Sequence, residues 1–188
     1  MKKIILIASG LLLALGLGAQ PKFAYVNFSE LVQLMPDADQ ARATLAASGK
    51  EAQETYQAMM DEFNTKYSQY EQKASTWTPA IRDSKEKELT DMQRRVQEFS
   101  TNIQQELQQQ EQQLMAPIYK KAQDAVNELA KSRGIGIVID RTTALYIDDA
   151  QWVNLTPDAR KALGIPEDRT LESLQAELQA KQQEAAAN

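Results

Sequence analysis

The chain has 188 residues, 43% of them hydrophobic and 25% charged, with a formal net charge of −5. It contains no cysteine and no histidine, which excludes thiolate nucleophiles, imidazole bases, disulfides and the common zinc sites. The acidic balance argues against non-specific binding to nucleic acid, and the low aromatic and glycine content favours helix over sheet.

The first twenty residues read as a secretory signal. Lys2 and Lys3 form a positive start, and Ile4 to Leu17 is an apolar run interrupted by Ser9, Gly10 and Gly16. That run is about 14 residues long, short of the ~20 needed to span a bilayer. Gly16, Gly18 and Ala19 supply small residues for cleavage, so residues 1–19 are expected to be a removable signal peptide. No second apolar segment follows. Losing Lys2 and Lys3 takes the side-chain charge from −5 to −7.

Lys22 to Phe28 is aromatic and β-branched, which predicts a strand. Ser29 is the expected cap of a brief helix, Glu30 to Met35, stopped by Pro36. A long helix is then expected from Asp37, with Gln40 in the position of a capping-box partner. From Tyr56 its apolar residues (Tyr56, Met59 or Met60, Phe63, Tyr67, Tyr70, Ala74, Trp77) recur in steps of three and four, a coiled-coil seam. Thr78-Pro79 ends it and opens a second helix, Pro occupying the first turn.

The second helix has its own seam of Leu89, Met92, Val96, Phe99, Ile103 and Leu107, then Leu114 and Ile118. Reflecting the chain about Thr78 pairs residue 40 with residue 116, so the arms match at about 38 residues, or about 57 Å, each. Pro117 lies where the first arm runs out, and is expected to kink the helix and serve as a hinge. Seven glutamines between Gln104 and Gln113 keep the helical spacing of Glu106, Leu107 and Glu111, so they read as a solvated helix face.

The helix should close at Gly134, with Lys131 and Arg133 in its last turn. Ile135 to Asp140 predicts a strand, Arg141-Thr142-Thr143 a turn, and Ala144 to Ile147 a further strand. Thr156-Pro157-Asp158 starts a short helix that closes at Gly164. A last helix from about Leu171, with Leu174 and Leu178 on its seam, is expected to fray towards Asn188.

These elements make an α+β chain, mainly α. A small β body (20–36 and 117–166) carries a long antiparallel coiled-coil hairpin (37–116), and a helical tail follows (167–188). The body is too small to be comfortably stable alone. Phe23, Tyr25, Val26, Phe28, Ile137 and Ile139 present more strand-borne apolar surface than three short strands can cover, and open strand edges invite a second copy. Those six residues are the candidate assembly contacts.

Phe23-Ala24-Tyr25-Val26-Asn27-Phe28-Ser29-Glu30-Leu31 resembles the opening strand and helix of the Skp or OmpH-like periplasmic chaperones. Ile135-Gly136-Ile137-Val138-Ile139-Asp140, Ala144-Leu145-Tyr146 and Asn154-Leu155-Thr156-Pro157-Asp158 resemble that family's closing strands and helix. The resemblance covers residues 1 to about 165. It implies a homotrimer with a barrel-like body and three hairpins around a cavity, in which unfolded outer-membrane β-barrel proteins are held without ATP or any cofactor. It also implies a periplasmic location. The family's best-known member is strongly basic, with positive arms directed at acidic clients and lipopolysaccharide, whereas residues 40 to 116 here carry nine Lys or Arg against twelve Asp or Glu. No residue carries over for lipopolysaccharide, and a transient contact with a membrane surface is the membrane partner expected.

A holdase needs adaptable apolar contacts spread over a mobile surface. Met59, Met60, Met92 and Met115 lie on the arms, and adjacent Met59 and Met60 cannot both face one seam. They are candidate client contacts, set against the plainer reading that each packs the hairpin. Trp77, at the tip, either touches clients or closes the turn over Ile81. A structural coiled-coil spacer of the cell envelope fits the same hairpin and signal. Asp140, Asp148 and Asp149 are the only group suggestive of catalysis, and they sit where aspartate commonly makes local turn bonds.

Overall fold

The structure, a computed structural model, describes residues 22–187; the expected signal peptide lies outside them. The architecture is mainly helical with a small three-stranded sheet, as the sequence predicts. Two compact units divide the chain: Leu34–Lys120, and the segments on either side of it.

The sheet-bearing unit is organised on β1, Lys22–Val26. It is the central strand, paired in parallel with β2 (Ile135–Asp140) on one side and β3 (Trp152–Asn154) on the other. Ala24, Tyr25 and Val26 are 0, 4 and 3% exposed, so both faces of β1 are covered. Phe23 stands opposite Ile137 and Trp152, and stacks on the Trp152 ring at 5.1 Å between centroids. That contact explains a departure from expectation. Ala144 to Ile147 forms no strand, because β2 and β3 occupy both edges of β1; Leu145 and Tyr146 are left 107% and 83% exposed.

Helix α1 (Phe28–Leu34) starts one residue before Ser29, the expected cap. Asn27 caps it instead: the Glu30 N–H donates to Asn27 Oδ1 at 3.2 Å, and Asn27 Nδ2 donates to Glu30 Oε2 at 3.0 Å. The physical reason is an Asn at the cap with a Glu three residues on, a reciprocal pairing that Ser29 cannot offer.

Helix α4 (Thr156–Ala162) and helix α5 (Leu171–Ala187) belong to the same unit. Gly164 closes the first with φ +68°, the left-handed conformation that glycine adopts without a Cβ penalty. Thr170 and Ser173 cap α5 reciprocally, each N–H donating to the other's hydroxyl at 2.9 and 3.1 Å. Leu174 is 4% exposed, so the first turns of the tail are packed. Arg160 fixes the lead into it, donating to Glu30 at 2.7 Å and to the carbonyls of Pro166 and Arg169 at 2.8 and 2.5 Å.

The second unit is the hairpin. Helix α2 (Pro36–Lys73) runs 38 residues and begins at Pro36, not at Asp37. Met35 is extended before it, and its carbonyl receives Ala38 N–H at 2.9 Å. Proline's fixed φ suits the first helical position, so Pro36 opens this helix as well as stopping the one before. A 3-10 turn, Ala74–Thr76, and an extended Trp77 reverse the chain. Helix α3 (Pro79–Ser132) follows and passes through Pro117 without interruption. Thr78 starts it as expected, with its hydroxyl 3.4 Å from Ile81 N–H and its carbonyl 3.0 Å from Arg82 N–H. At its end Gly134 takes φ +62°.

Candidate functional site

Three surfaces bear on function, two of which carry the candidate residues singled out in the sequence. The first is the distal half of the hairpin. Phe63 stacks along α2 on Tyr67 at 6.0 Å, with Tyr67 46% exposed, and Tyr70 meets Trp77 edge-on at 5.9 Å. Trp77 therefore closes the tip over Tyr70, while Ile81 stays 45% exposed. Met92 is 3% exposed, which corrects its candidacy as a client contact: a side chain packed that deeply cannot be offered to a visitor. Met59, Met60 and Met115 are half-buried.

Polar groups lock the same half. Lys66 of α2 donates to Glu88 of α3, and Lys85 donates to Glu88 at 2.8 Å. Those two ammonium groups, Lys66 foremost, hold the Glu88 carboxyl down at about 2. Tyr70 OH donates to Glu86, and that bond pushes the phenol above its usual range.

The second surface is in the proximal half of the hairpin, where the arms leave an open groove of about 420 Å³. Ser48, Glu51, Ala52 and Thr55 line it from α2, and Phe99, Ile103, Glu106, Leu107 and Gln110 from α3. Its cause is a mismatch of residue size. The α3 seam continues through Phe99, Ile103 and Leu107, but α2 from Ala46 to Thr55 has no large apolar side chain to meet it. Those three side chains are half-buried as a result. These groove residues were not singled out in the sequence, although the signal was present: the α2 seam begins only at Tyr56, while the α3 seam runs on to Leu107.

The third surface is the sheet rim. Tyr25 and Val26 are buried within one chain, which corrects their place among the assembly contacts: β1 is central, so its side chains are consumed by the unit's own core. Phe23, Phe28 and Ile139 are half-buried, and Ile137 on the outer strand β2 is 51% exposed. Leu145 and Tyr146, which follow β2 in the chain, are also exposed.

The three aspartates are absorbed by local structure. Asp140 accepts from the N–H and hydroxyl of Thr142 at 2.9 and 2.8 Å. Asp148 accepts from Ala150 N–H at 3.0 Å. Asp149 accepts from Tyr25 OH at 2.7 Å, the leading cause of that phenol's raised pKa, and Arg141 lies over the Tyr25 ring at 4.8 Å. No acidic cluster with metal-binding arrangement occurs among the described residues. None of the described helices is long and apolar enough to cross a membrane.

The strand–hairpin–strand order can now be set against known proteins. Residues 22–163 match the model of the family described as outer membrane protein (OmpH-like). The chain belongs to the OmpH-like family. Among curated relatives, the chaperone protein Skp of Yersinia enterocolitica is 29% identical over 86% of this chain and 98% of its own. The Skp of Photorhabdus laumondii is 28% identical over 78% of this chain and 90% of its own. A solved structure described as an OmpH-like outer membrane chaperone from Caulobacter crescentus superposes with a TM-score of 0.69. It covers 77% of this chain and 85% of its own at 14% identity, a likeness of fold. The OmpH-like match takes in the groove, the sheet rim and the whole hairpin, and stops before α5.

Proposed function

We propose that the mature chain is an ATP-independent periplasmic holdase. It binds unfolded outer-membrane β-barrel proteins between helical arms and keeps them from aggregating on the way to the outer membrane. The observation that carries this reading is the unfilled apolar seam of the proximal hairpin. Phe99, Ile103 and Leu107 lie along an open groove, with Met59, Met60 and Met115 half-buried on the arms. Distributed, adaptable apolar surface of that kind suits weak binding of many sequences. Family membership and the chaperone relatives support the same conclusion. The signal-like first 19 residues support export.

The working form in this reading is a homotrimer. Strand β2 presents a β-branched outer edge with Ile137 exposed, and edges of that kind pair with other chains unless protected. Ala144 to Ile147 has strand composition and no partner strand among the described residues. In the trimer that segment pairs with a neighbouring copy and removes Leu145 and Tyr146 from water. Clients enter as the arms splay, with Pro117 as the flex point, since its missing N–H weakens the helix there.

The test uses mature protein from about Gln20. A urea-unfolded outer-membrane β-barrel protein is diluted into buffer, and light scattering is followed as the chaperone is added. Suppression saturating near one trimer per client is expected. No suppression at several-fold excess, with the trimer intact by sedimentation, would overturn the holdase and leave a structural spacer of the envelope.

A further inference from the structure

Charge is unevenly spread along the hairpin. Residues 60–95, at the distal end, carry seven Lys or Arg against seven Asp or Glu. Residues 40–59 and 96–116, the proximal half, carry two against five. Among the distal charges, Lys66 and Lys85 pair with Glu88, and Arg94 with Asp91. At the groove the situation is reversed. Glu51 and Glu106 both line it, and neither enters an ion pair or hydrogen bond among the described residues. Lys50, next to Glu51 in sequence, points its charge to Glu54 at 3.7 Å.

An apolar floor of Phe99, Ile103 and Leu107 flanked by two unneutralised carboxylates has a definite chemical preference. Resting on the holdase reading above, we propose that this groove is a docking site for extended client segments that carry Lys or Arg beside apolar side chains. The apolar side chain covers the floor while the cation meets Glu51 or Glu106, and the aliphatic stem of Lys or Arg lies on the apolar surface between them. Ser48, Thr55 and Gln110 add hydroxyl and amide groups with no hydrogen-bond partner among the described residues. They can bond the exposed backbone of an unfolded chain. Acidic segments are disfavoured by the same two carboxylates, so the groove sorts clients by charge as well as by apolar content.

The test compares two fluorescein-labelled 12-residue peptides that alternate Leu and Phe with Ser. One carries three Lys, and its twin carries three Glu. Binding to the assembled mature protein is read by fluorescence anisotropy in low salt and in 0.5 M salt. The Lys peptide should bind about five- to tenfold more tightly in low salt, the scale of two partly screened charge pairs. The advantage should shrink in high salt and disappear in the double variant Glu51→Gln/Glu106→Gln. Equal binding of the twins, or an advantage that survives the double variant, would overturn the proposal. So would spin labels at positions 48 and 107 showing that another copy of the chain fills the groove in the free oligomer. Light-scattering suppression by the double variant separates the two ideas. A holdase that suppresses aggregation without charge preference loses this site alone, whereas failure of the wild type to suppress overturns the holdase itself.

Discussion

Between Phe63 and Trp77 the first arm supplies four aromatic residues, and α3 buries Met92 at that end of the hairpin to 3% exposure. Between Ala46 and Thr55 the same arm supplies alanine, serine, glycine and charge, and α3 is left with a half-covered row of Phe99, Ile103 and Leu107. One helix pair thus contains a closed coiled-coil segment and an open one. The difference teaches that stability and client surface are assigned to different lengths of the arm. The distal half buries Met92 and joins its arms through Lys66–Glu88. At the proximal groove Glu51 and Glu106 stand beside a half-covered apolar row.

The most direct way to break that comparison is Met92→Ala. If the distal half is a true core, removing this buried side chain should cost about 2–4 kcal/mol, read as lost hydrogen-exchange protection in residues 60–95 and a lower denaturation midpoint. Met115→Ala, at a half-buried position, should cost less than about 1 kcal/mol by the same measurement. Equal costs would mean that the two halves are packed alike.

Filling the groove sharpens the comparison from the other side. Ala52→Leu gives α2 the large apolar residue that its seam lacks opposite Phe99 and Ile103. It should raise stability by about 1 kcal/mol, since a leucine there is only partly withdrawn from water. It should also weaken binding of unfolded protein at unchanged trimer content. A stabilised variant with full holdase activity would remove the groove from the mechanism.

Gly49→Ala separates those two effects. Gly49 lies inside α2, and a Cβ built on it meets nothing within 4 Å. Alanine should stabilise the helix by about 0.5–1 kcal/mol through backbone entropy and leave the groove unfilled. A higher thermal midpoint with unaltered aggregation suppression is the expected pair of results.

Much of this contrast was legible in the sequence. Heptad spacing from Tyr56 to Trp77, the Thr78-Pro79 reversal and the glycine stops at 134 and 164 are local signals, and the structure follows them. What escaped was set by competition between distant segments. Ala144 to Ile147 has strand composition, but whether it forms a strand depends on which partner reaches β1. Trp152 wins that edge by stacking on Phe23, a residue remote in sequence. Tyr25 and Val26 look like assembly residues until β1 proves to be the middle strand. Arg160 bridges to Glu30 across 130 positions, and no periodicity announces such a pair. The groove is an intermediate case: each seam was readable, but the mismatch appears only when the two are laid side by side.

The smallest expected effect concerns pH. Glu88 titrates at about 2 in the folded hairpin against an ordinary glutamate value of 4.5, because Lys66 and Lys85 stabilise its charge. A depressed carboxylate contributes stability that is fully present above about 4.5 and is lost as pH falls through the folded value. The distal half should therefore weaken between pH 4.5 and 2, whereas the proximal half has no such pair among its groove residues. The Glu88 side chain is 31% exposed, so screening limits the effect to about 0.5 kcal/mol. Thermal melts of the wild type and Glu88→Gln across that window check it. The wild type should lose more stability on acidification than the variant, and the gap between them should close near pH 2. Parallel slopes would mean that the Lys66–Glu88 contact adds nothing to the closure of the tip. Closure would then rest on Met92 and the aromatic residues alone.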